Sequence, residues 1–469
     1  MGKIPPIKLL LIAIVISLGG SFHFGYQLVI TNPSQAAFIH FLKTSNFDHY
    51  GKMMTESEAK TIWSIIVAVL FAGAICGSLS IGFISAKVGR KRGLYVSIGC
   101  SIVSVLLAII SYHVNSYELY IVSRITLGYS IALSLGLSAM FFNESSPRQC
   151  RGFVSMMTGT MVQVGTFTGA VISMPLLLGT IDRWWYIYLV EIIILCCVMV
   201  ILPFIPESPG YLTQCGNEDA ARKAILFFHG CKVGAVDASL NEIKENLRLN
   251  ATKMSVIAVF KDYYLRKGVF TGTTIAFSMA FSGVAVINAF AVEMLKNTGL
   301  STEDAAFGNI GLCGVSVISS IIASVVVDRF GRRPLILFSL SALLILNIII
   351  FVLMFCFDKF ELDWIGYTLI VVISLFLFFF AIGLGPLSFF VATEMVGQAA
   401  RGTAQSCASL GQMFGRLVIL IIFYPISDAI GQAFTYLILF IVPIALALIF
   451  LYSNMPETKN KDHKAVCIV

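Results

Sequence analysis

The sequence predicts an all-α membrane protein of twelve transmembrane helices. They form two six-helix bundles that repeat one another in parallel, joined by a cytoplasmic helical linker. Three observations predict this. Of the 469 residues 58% are hydrophobic and only 12% charged, against roughly 45–50% apolar in soluble domains, and the mean hydropathy is +0.89. Apolar runs of bilayer length recur twelve times, and short landmarks recur at a nearly constant offset. The organisation that follows is 1–205 for the N-terminal bundle, 206–267 for the linker, 268–455 for the C-terminal bundle and 456–469 for a short cytoplasmic tail.

The runs lie near 9–30, 62–85, 93–112, 118–140, 152–179, 185–205, 268–295, 305–327, 334–357, 364–392, 403–426 and 430–453. Each is close to the roughly 20 residues that cross a hydrocarbon core. Lys3 and Lys8 ahead of LLLIAIVISLGG resemble the start of a secretory signal peptide, but the apolar character continues through FHFGYQLVI, so residues 9–30 read as the first span. With both termini inside, the cytoplasmic side collects 24 Lys and Arg, and the outer loops hold six: Lys43, Lys52, Lys60, Arg183, Lys296 and Lys359. The excess sets the topology by the positive-inside rule, and the net charge of +7 then reflects topology rather than a nucleic-acid partner. Trp63, Trp184, Trp185 and Trp364 fall at outer ends of spans, where an indole buries its ring and keeps its N–H wet, and they are expected to form an interfacial belt. The 11 cysteines show no ligand spacing, so neither disulfide, metal nor cofactor is expected. No nucleophile–base pair, catalytic carboxylate pair or phosphate loop points to an enzyme.

The repeat is carried by three landmarks in one order. KVGRK at 87–91 returns as RFGRR at 329–333, 242 positions on. Glu144 with Arg151 returns as Glu394 with Arg401, and PES at 206–208 returns as PET at 456–458, each 250 positions on. Parallel duplication of six spans belongs to carriers that open alternately to either side, with the solute near the midplane. The landmark charges Arg90, Lys91, Glu144, Arg151, Glu207, Arg332, Arg333, Glu394, Arg401 and Glu457 all fall at cytoplasmic span ends. Carboxylates there are expected to pair with the basic turns of neighbouring helices, closing the inner side and breaking when it opens. Ala86 and Gly210 each remove one partner from this network.

FHFGYQ at 22–27, Arg124 within SRITLGY, Glu144 to Arg151-Gly152, PESPGYL at 206–212, DRFGRRP at 328–334, GLGP at 383–386, TE at 393–394 and PETK at 456–459 together resemble the sugar porter family of the major facilitator superfamily. They are most similar to the animal facilitative glucose transporters. The resemblance covers nearly the whole chain. It implies the superfamily fold, an integral multi-pass protein with cytoplasmic termini, expected in the plasma membrane, and a cytoplasmic helical segment at about 210–265. Arg124 matches an arginine of the family pattern and is expected to bind helix ends near the outer side.

The resemblance also implies a hexose site, and the expected ligands are mostly missing. Glucose carriers of the family set QQ-x-SG-x-N in span 7. Anchored on Ser282-Gly283, the Gln-Gln positions are Met279 and Ala280 and the Asn position is Ala285; anchored on Ile287-Asn288-Ala289, only the Asn is rescued. The span 5 Gln becomes Gly159, the span 8 Asn becomes Ser316, the span 10 Pro-Trp becomes Ser388-Phe389 and the span 11 Asn-Trp becomes Gln412-Met413. The span 1 Gln before Phe-Gly-Tyr is His23. Each buried hydroxyl left unmatched costs about 1–3 kcal/mol, so a solute must be held by other groups. The candidates inside spans are His23, Gln27, Gln163, Ser282, Asn288, Ser316, Phe389, Gln412 and Arg416. At 1.5 Å per residue, Gln163 and Gln412 lie about 18 and 17 Å beyond Arg151 and Arg401, near the midplane. Ser282-Gly283 offers a flexible point about which the outer half of span 7 could move.

Arg416 stands about 22 Å beyond Arg401 in a setting where a guanidinium is costly. It is expected either to face a wet cavity or carboxyl partner, which would suit an anionic or acceptor-rich solute, or to snorkel outward. Proton-coupled relatives carry Asp where Gln27 stands, and Gln27 cannot titrate, although His23 could. The leading expectation is therefore a uniporter of a hexose-like or other small polar solute working by alternating access. The alternatives are a proton-coupled symporter of a non-hexose or anionic metabolite, and a sensor that binds solute without moving it.

Overall fold

A computed structural model describes the chain except residues 1–5, 148–149, 231–235, 251–255, 361–363, 389–390, 397–399 and 458–469, and except the side chains of 151–152, 155–156, 246–247, 249–250, 256, 324–330, 393–394 and 401–402. Eleven helices among the described residues are long and apolar enough to cross a membrane, and Arg151–Ile172 supplies a twelfth at the expected place.

Local chemistry sets where these helices start and break. Span 2, Glu56–Lys87, opens on a capping box: the Glu58 N–H donates to Thr55 Oγ1 at 3.3 Å and the Thr55 N–H to Glu58 Oε2 at 2.9 Å. Span 1 is two helices, Ile7–Leu18 and Ser21–Val29, parted at Gly19-Gly20. Span 7 is likewise Tyr263–Ala280 and Val284–Lys296, parted at Phe281 to Gly283. Gly283 there has a φ of 101°, in the left-handed region that only glycine visits freely. Span 10 breaks at Gly383, between Trp364–Ile382 and Leu384–Leu387. Interrupted spans free backbone groups that must be satisfied within the protein. At the span 7 break the Asn347 Nδ2 donates to Ser282 O at 3.0 Å, and Ser282 Oγ accepts from the Val284 N–H at 3.3 Å.

Spans 1 to 6 pack on one another, as do spans 7 to 12, and the two halves meet through spans 2 and 11 and through spans 5 and 8. The basic turns share one face of the molecule, called here the basic face. On it the linker forms helices Pro209–Gln214, Glu218–His229, Val236–Asn250 and Val256–Lys261. Ala221, Ile225, Val236 and Leu240 make a small core between two of these, and Phe228 docks edge-on against Phe141 of span 4 at 5.6 Å.

The opposite, distal face corrects the belt expectation for two tryptophans. A helix at Gln35–Tyr50 lies across this face and brings Phe38 against Trp63 at 4.8 Å and against Trp184 at 4.6 Å. Trp63 is 1% exposed and Trp184 fully buried, and neither indole N–H has a hydrogen-bond partner. They are packing residues of an aromatic cluster with Tyr120. Trp364, 57% exposed, retains the position of a belt residue.

Candidate functional site

The halves are sealed on the distal side. Asn32, just past the end of span 1, uses both ends of its amide across the interface: Nδ2 donates to Asn288 O at 3.1 Å and Asn309 Oδ1 at 3.3 Å, and Oδ1 accepts from the Val292 N–H at 3.0 Å. Lys60 pairs with Glu293 at 2.6 Å, Ser57 donates to Asp428 at 2.6 Å, Gln35 donates to Tyr424 at 3.0 Å, and Ser64 donates to Leu420 O. These contacts were not foreseen from sequence, which directed attention to the basic face.

Beneath the seal, the span 7 break and span 11 bring together a cluster of donors. Glycines allow the approach: a Cβ at Gly415 would stand 2.7 Å from the Ala280 Cβ. Met279, on the residue where glucose carriers place an amide in the first register, receives the Gln412 amide at 2.7 Å and the Ser388 hydroxyl at 3.0 Å on its sulfur. A thioether is a weak acceptor, so the Gln412 amide remains under-satisfied, whereas the Ser388 hydroxyl also reaches Gly385 O at 2.9 Å. One turn on, and on the same side of the helix as Gln412, Arg416 is 3% exposed. Its Cζ lies 5.6 Å from the ring centres of both Phe24 and Phe71. The outward snorkel is thereby set aside, since the head turns inward against the first half of the chain. The rings attract the cation, but Nε and Nη1 make no hydrogen bond, and no carboxylate among the described residues pairs with it. Each buried N–H without an acceptor costs about 1–3 kcal/mol, so this geometry lacks a partner that something else must supply.

The span 1 candidates do not join this cluster. His23 and Gln27, 2% and 1% exposed, turn into the first half toward Glu191 of span 6. Gln27 Nε2 donates to Glu191 Oε2 at 2.6 Å, and Arg124 Nη1 donates to Gln27 Oε1 at 2.8 Å. His23 Nε2 lies 3.0 Å from Glu191 Oε1, at an angle that makes no hydrogen bond. Arg124 therefore binds a side chain of span 1 rather than the helix ends expected of it. Glu191 was missed, although a carboxylate inside WYIYLVEIIILCCVMV is itself a signal, because ionisable groups in spans are rarely idle.

The remaining candidates are scattered. Gln163 is half-buried, with its Oε1 3.4 Å from the Thr166 hydroxyl. Ser282 and Ser316 donate to carbonyls of their own helices, Met279 O and Leu312 O. Asn288 is half-buried and gives its backbone carbonyl to Asn32, while Phe389 lies outside the described residues.

On the basic face the landmark charges are arranged twice over. Glu144 accepts from Arg90 at 2.7 Å and from Ser208 at 2.6 Å. Glu207 accepts the Lys91 backbone N–H at 2.9 Å, and Glu457 accepts those of Arg332 and Arg333 at 3.1 Å each. Two carboxylates thus cap the helices that follow Gly89 and Gly331, where the dipole favours a negative charge. Lys91 Nζ and Arg333 Nη2 reach carbonyls of Pro203 and Tyr452. Each of these contacts ties a bundle to itself, to the start of the linker or to the tail, and none reaches the other bundle, whereas sequence suggested contacts that break on opening. Gly210 proves to be an accommodation, since a Cβ there would stand 2.8 Å from Glu144 Oε2. The side chains of Arg151, Glu394 and Arg401 lie outside those described.

Comparison with known proteins places this arrangement in context. A family model described as "Sugar (and other) transporter" matches residues 12–468. The chain is 27% identical over 463 residues to the horse solute carrier family 2, facilitated glucose transporter member 5, covering 98% of this chain and 91% of that one. It is 28% identical over 467 residues to the human member 7, covering 98% and 89%. Its fold matches the inward open conformation of the xylose transporter XylE from E. coli with a TM-score of 0.78 at 21% identity, over 98% of this chain and 99% of that one.

Proposed function

This chain belongs to the sugar (and other) transporter family of integral membrane carriers, and from that membership we propose that it is a facilitative carrier. It moves a small polar solute down its gradient by alternating access, with the basic face cytoplasmic and the plasma membrane as its site. The observation that carries this reading is the distal seal over an under-satisfied donor cluster at the interface of the halves. Asn32 clamps the outer part of span 7 just beyond the Gly283 break. Releasing that clamp and rotating about Gly283 would expose Gln412 and Arg416 to the outside. The relatives named as facilitated glucose transporters support a sugar or a sugar-like solute.

Gln27 favours uniport, because an amide carries no exchangeable charge, and its hydrogen bond to Glu191 occupies one oxygen of that carboxylate. One observation favours the second reading, proton-coupled movement: His23 and Glu191 stand 3.0 Å apart, both buried. Uptake by the full chain in proteoliposomes, with and without an imposed pH gradient, separates the two. Saturable uptake indifferent to the gradient supports uniport, accumulation driven by it establishes coupling, and binding without uptake by folded protein marks a sensor.

A further inference from the structure

Arg416 is a buried positive charge that no carboxylate among the described residues neutralises. Of the 32 Lys and Arg, Arg124 and Arg416 stand deep within spans, and they are treated differently. Arg124 is linked through the Gln27 amide to the Glu191 carboxylate. Arg416 has phenyl faces on two sides and two nitrogens without an acceptor.

We propose that Arg416 is the anion-binding residue of the solute site, and that the solute is a small hydroxylated organic monoanion rather than a neutral hexose. The inference rests on the reading of the chain as a carrier and names the substrate class of that site. A neutral hexose presents hydroxyls that both donate and accept, so its site needs acceptors as well as donors. Beside the Gln412 amide, whose N–H is spent on the weak Met279 sulfur and whose oxygen can accept from a hydroxyl, the guanidinium of Arg416 offers donors and no acceptor, and no carboxylate among the described residues pairs with it. A carboxylate would take the planar fork of Arg416, while the solute's hydroxyls would draw Gln412 off the sulfur. Leu420, one turn beyond Arg416, carries the carbonyl bound by Ser64 in the distal seal. The charge thus sits directly under the gate, where an incoming anion would first meet it.

The test is uptake of radiolabelled glucuronate and glucose by the full chain in proteoliposomes, for wild type, Arg416→Gln and Arg416→Lys, with thermal stabilisation by glucuronate, gluconate and glucose measured in parallel. The expected result is saturable glucuronate uptake that glucose does not inhibit, reduced about tenfold or more in Arg416→Gln and partly kept in Arg416→Lys. Glucose uptake with no effect of either acid would overturn the inference and leave the carrier reading intact. Stabilisation by an acid in wild type but not in Arg416→Gln, without uptake, would uphold the anion site and remove the carrier reading. Equal glucuronate uptake in wild type and Arg416→Gln, or no response to either acid in any assay, would also overturn it.

Discussion

Gln27 and Glu191 meet at 2.6 Å between the first and sixth spans, amide nitrogen to carboxylate oxygen, and the other end of the same amide accepts from Arg124 at 2.8 Å. A neutral side chain thus links a buried cation to a buried anion. Connected groups of this kind stabilise when complete and are costly when broken, because the low surrounding dielectric strengthens each bond and each loss alike.

Glu191→Ala is expected to destabilise the protein by about 3–5 kcal/mol, since it leaves Arg124 as an uncompensated buried charge. Glu191→Gln, which keeps a hydrogen-bond partner for Gln27, should cost less. Unfolding in detergent by heat or denaturant measures both. A loss below about 1 kcal/mol for the alanine variant, the range of exposed ion pairs, would show that the linkage does not hold the first half together.

Trp63→Ala should cost about 3–5 kcal/mol, the range for truncating a core aromatic, because Phe38 stacks on it at 4.8 Å. Trp63→Phe should cost far less, as the indole N–H already has no partner. Wild-type fluorescence should show two tryptophans sheltered from an aqueous quencher, Trp63 and Trp184, and Trp364 accessible. A protein in which iodide quenches all four equally would contradict this packing.

The fate of those two tryptophans shows where sequence stops being informative. The spans were legible because their hydropathy is strong, and the repeat because its landmarks keep their order. A residue's distance from a span end gives depth, which puts Gln412 near the midplane and Arg416 one turn beyond it. It does not give the direction the side chain faces: Gln27 and His23 lie at plausible depths yet turn into the first half toward Glu191. Nor does it reveal what covers a span end, so the helix Gln35–Tyr50 and its burial of Trp63 and Trp184 went unseen. The missing amides at Met279 and Ala280 were readable, whereas the capture of Gln412 by the Met279 sulfur depends on two separate spans.

Gly283→Ala is expected to slow solute exchange more than it weakens solute binding. With φ at 101°, an alanine costs about 1–2 kcal/mol in backbone strain, although a Cβ would meet its nearest neighbour, Asn347 Oδ1, only at 3.5 Å. The penalty therefore falls on the bend itself. Comparing equilibrium binding with exchange rate in proteoliposomes checks it, and an unaltered exchange rate would remove the break from the gating motion.

Asn32→Ala should shift the protein toward opening on the distal side. Four hydrogen bonds across the halves are lost together, each contributing about 0.5–1.5 kcal/mol. A cysteine introduced at Phe71, buried beside Arg416, should then react faster with a membrane-impermeant thiol reagent added outside, once the native cysteines have been tested for background labelling. No gain in reactivity would mean that the Lys60–Glu293 and Ser57–Asp428 contacts hold the seal unaided.

Uniport of a monoanion carries net charge across the bilayer, because Arg416 stays with the protein and returns empty. At 100 mV the energy of one charge is about 2.3 kcal/mol, which corresponds to an equilibrium accumulation of about 50-fold toward the positive side. Glucuronate uptake into proteoliposomes clamped with potassium and valinomycin should therefore rise when the interior is positive and fall when it is negative. Glucose transport would be indifferent to either polarity. A glucuronate flux unaffected by potential would require a co-transported cation, and attention would then return to His23 and Glu191, which face each other at 3.0 Å with no hydrogen bond between them.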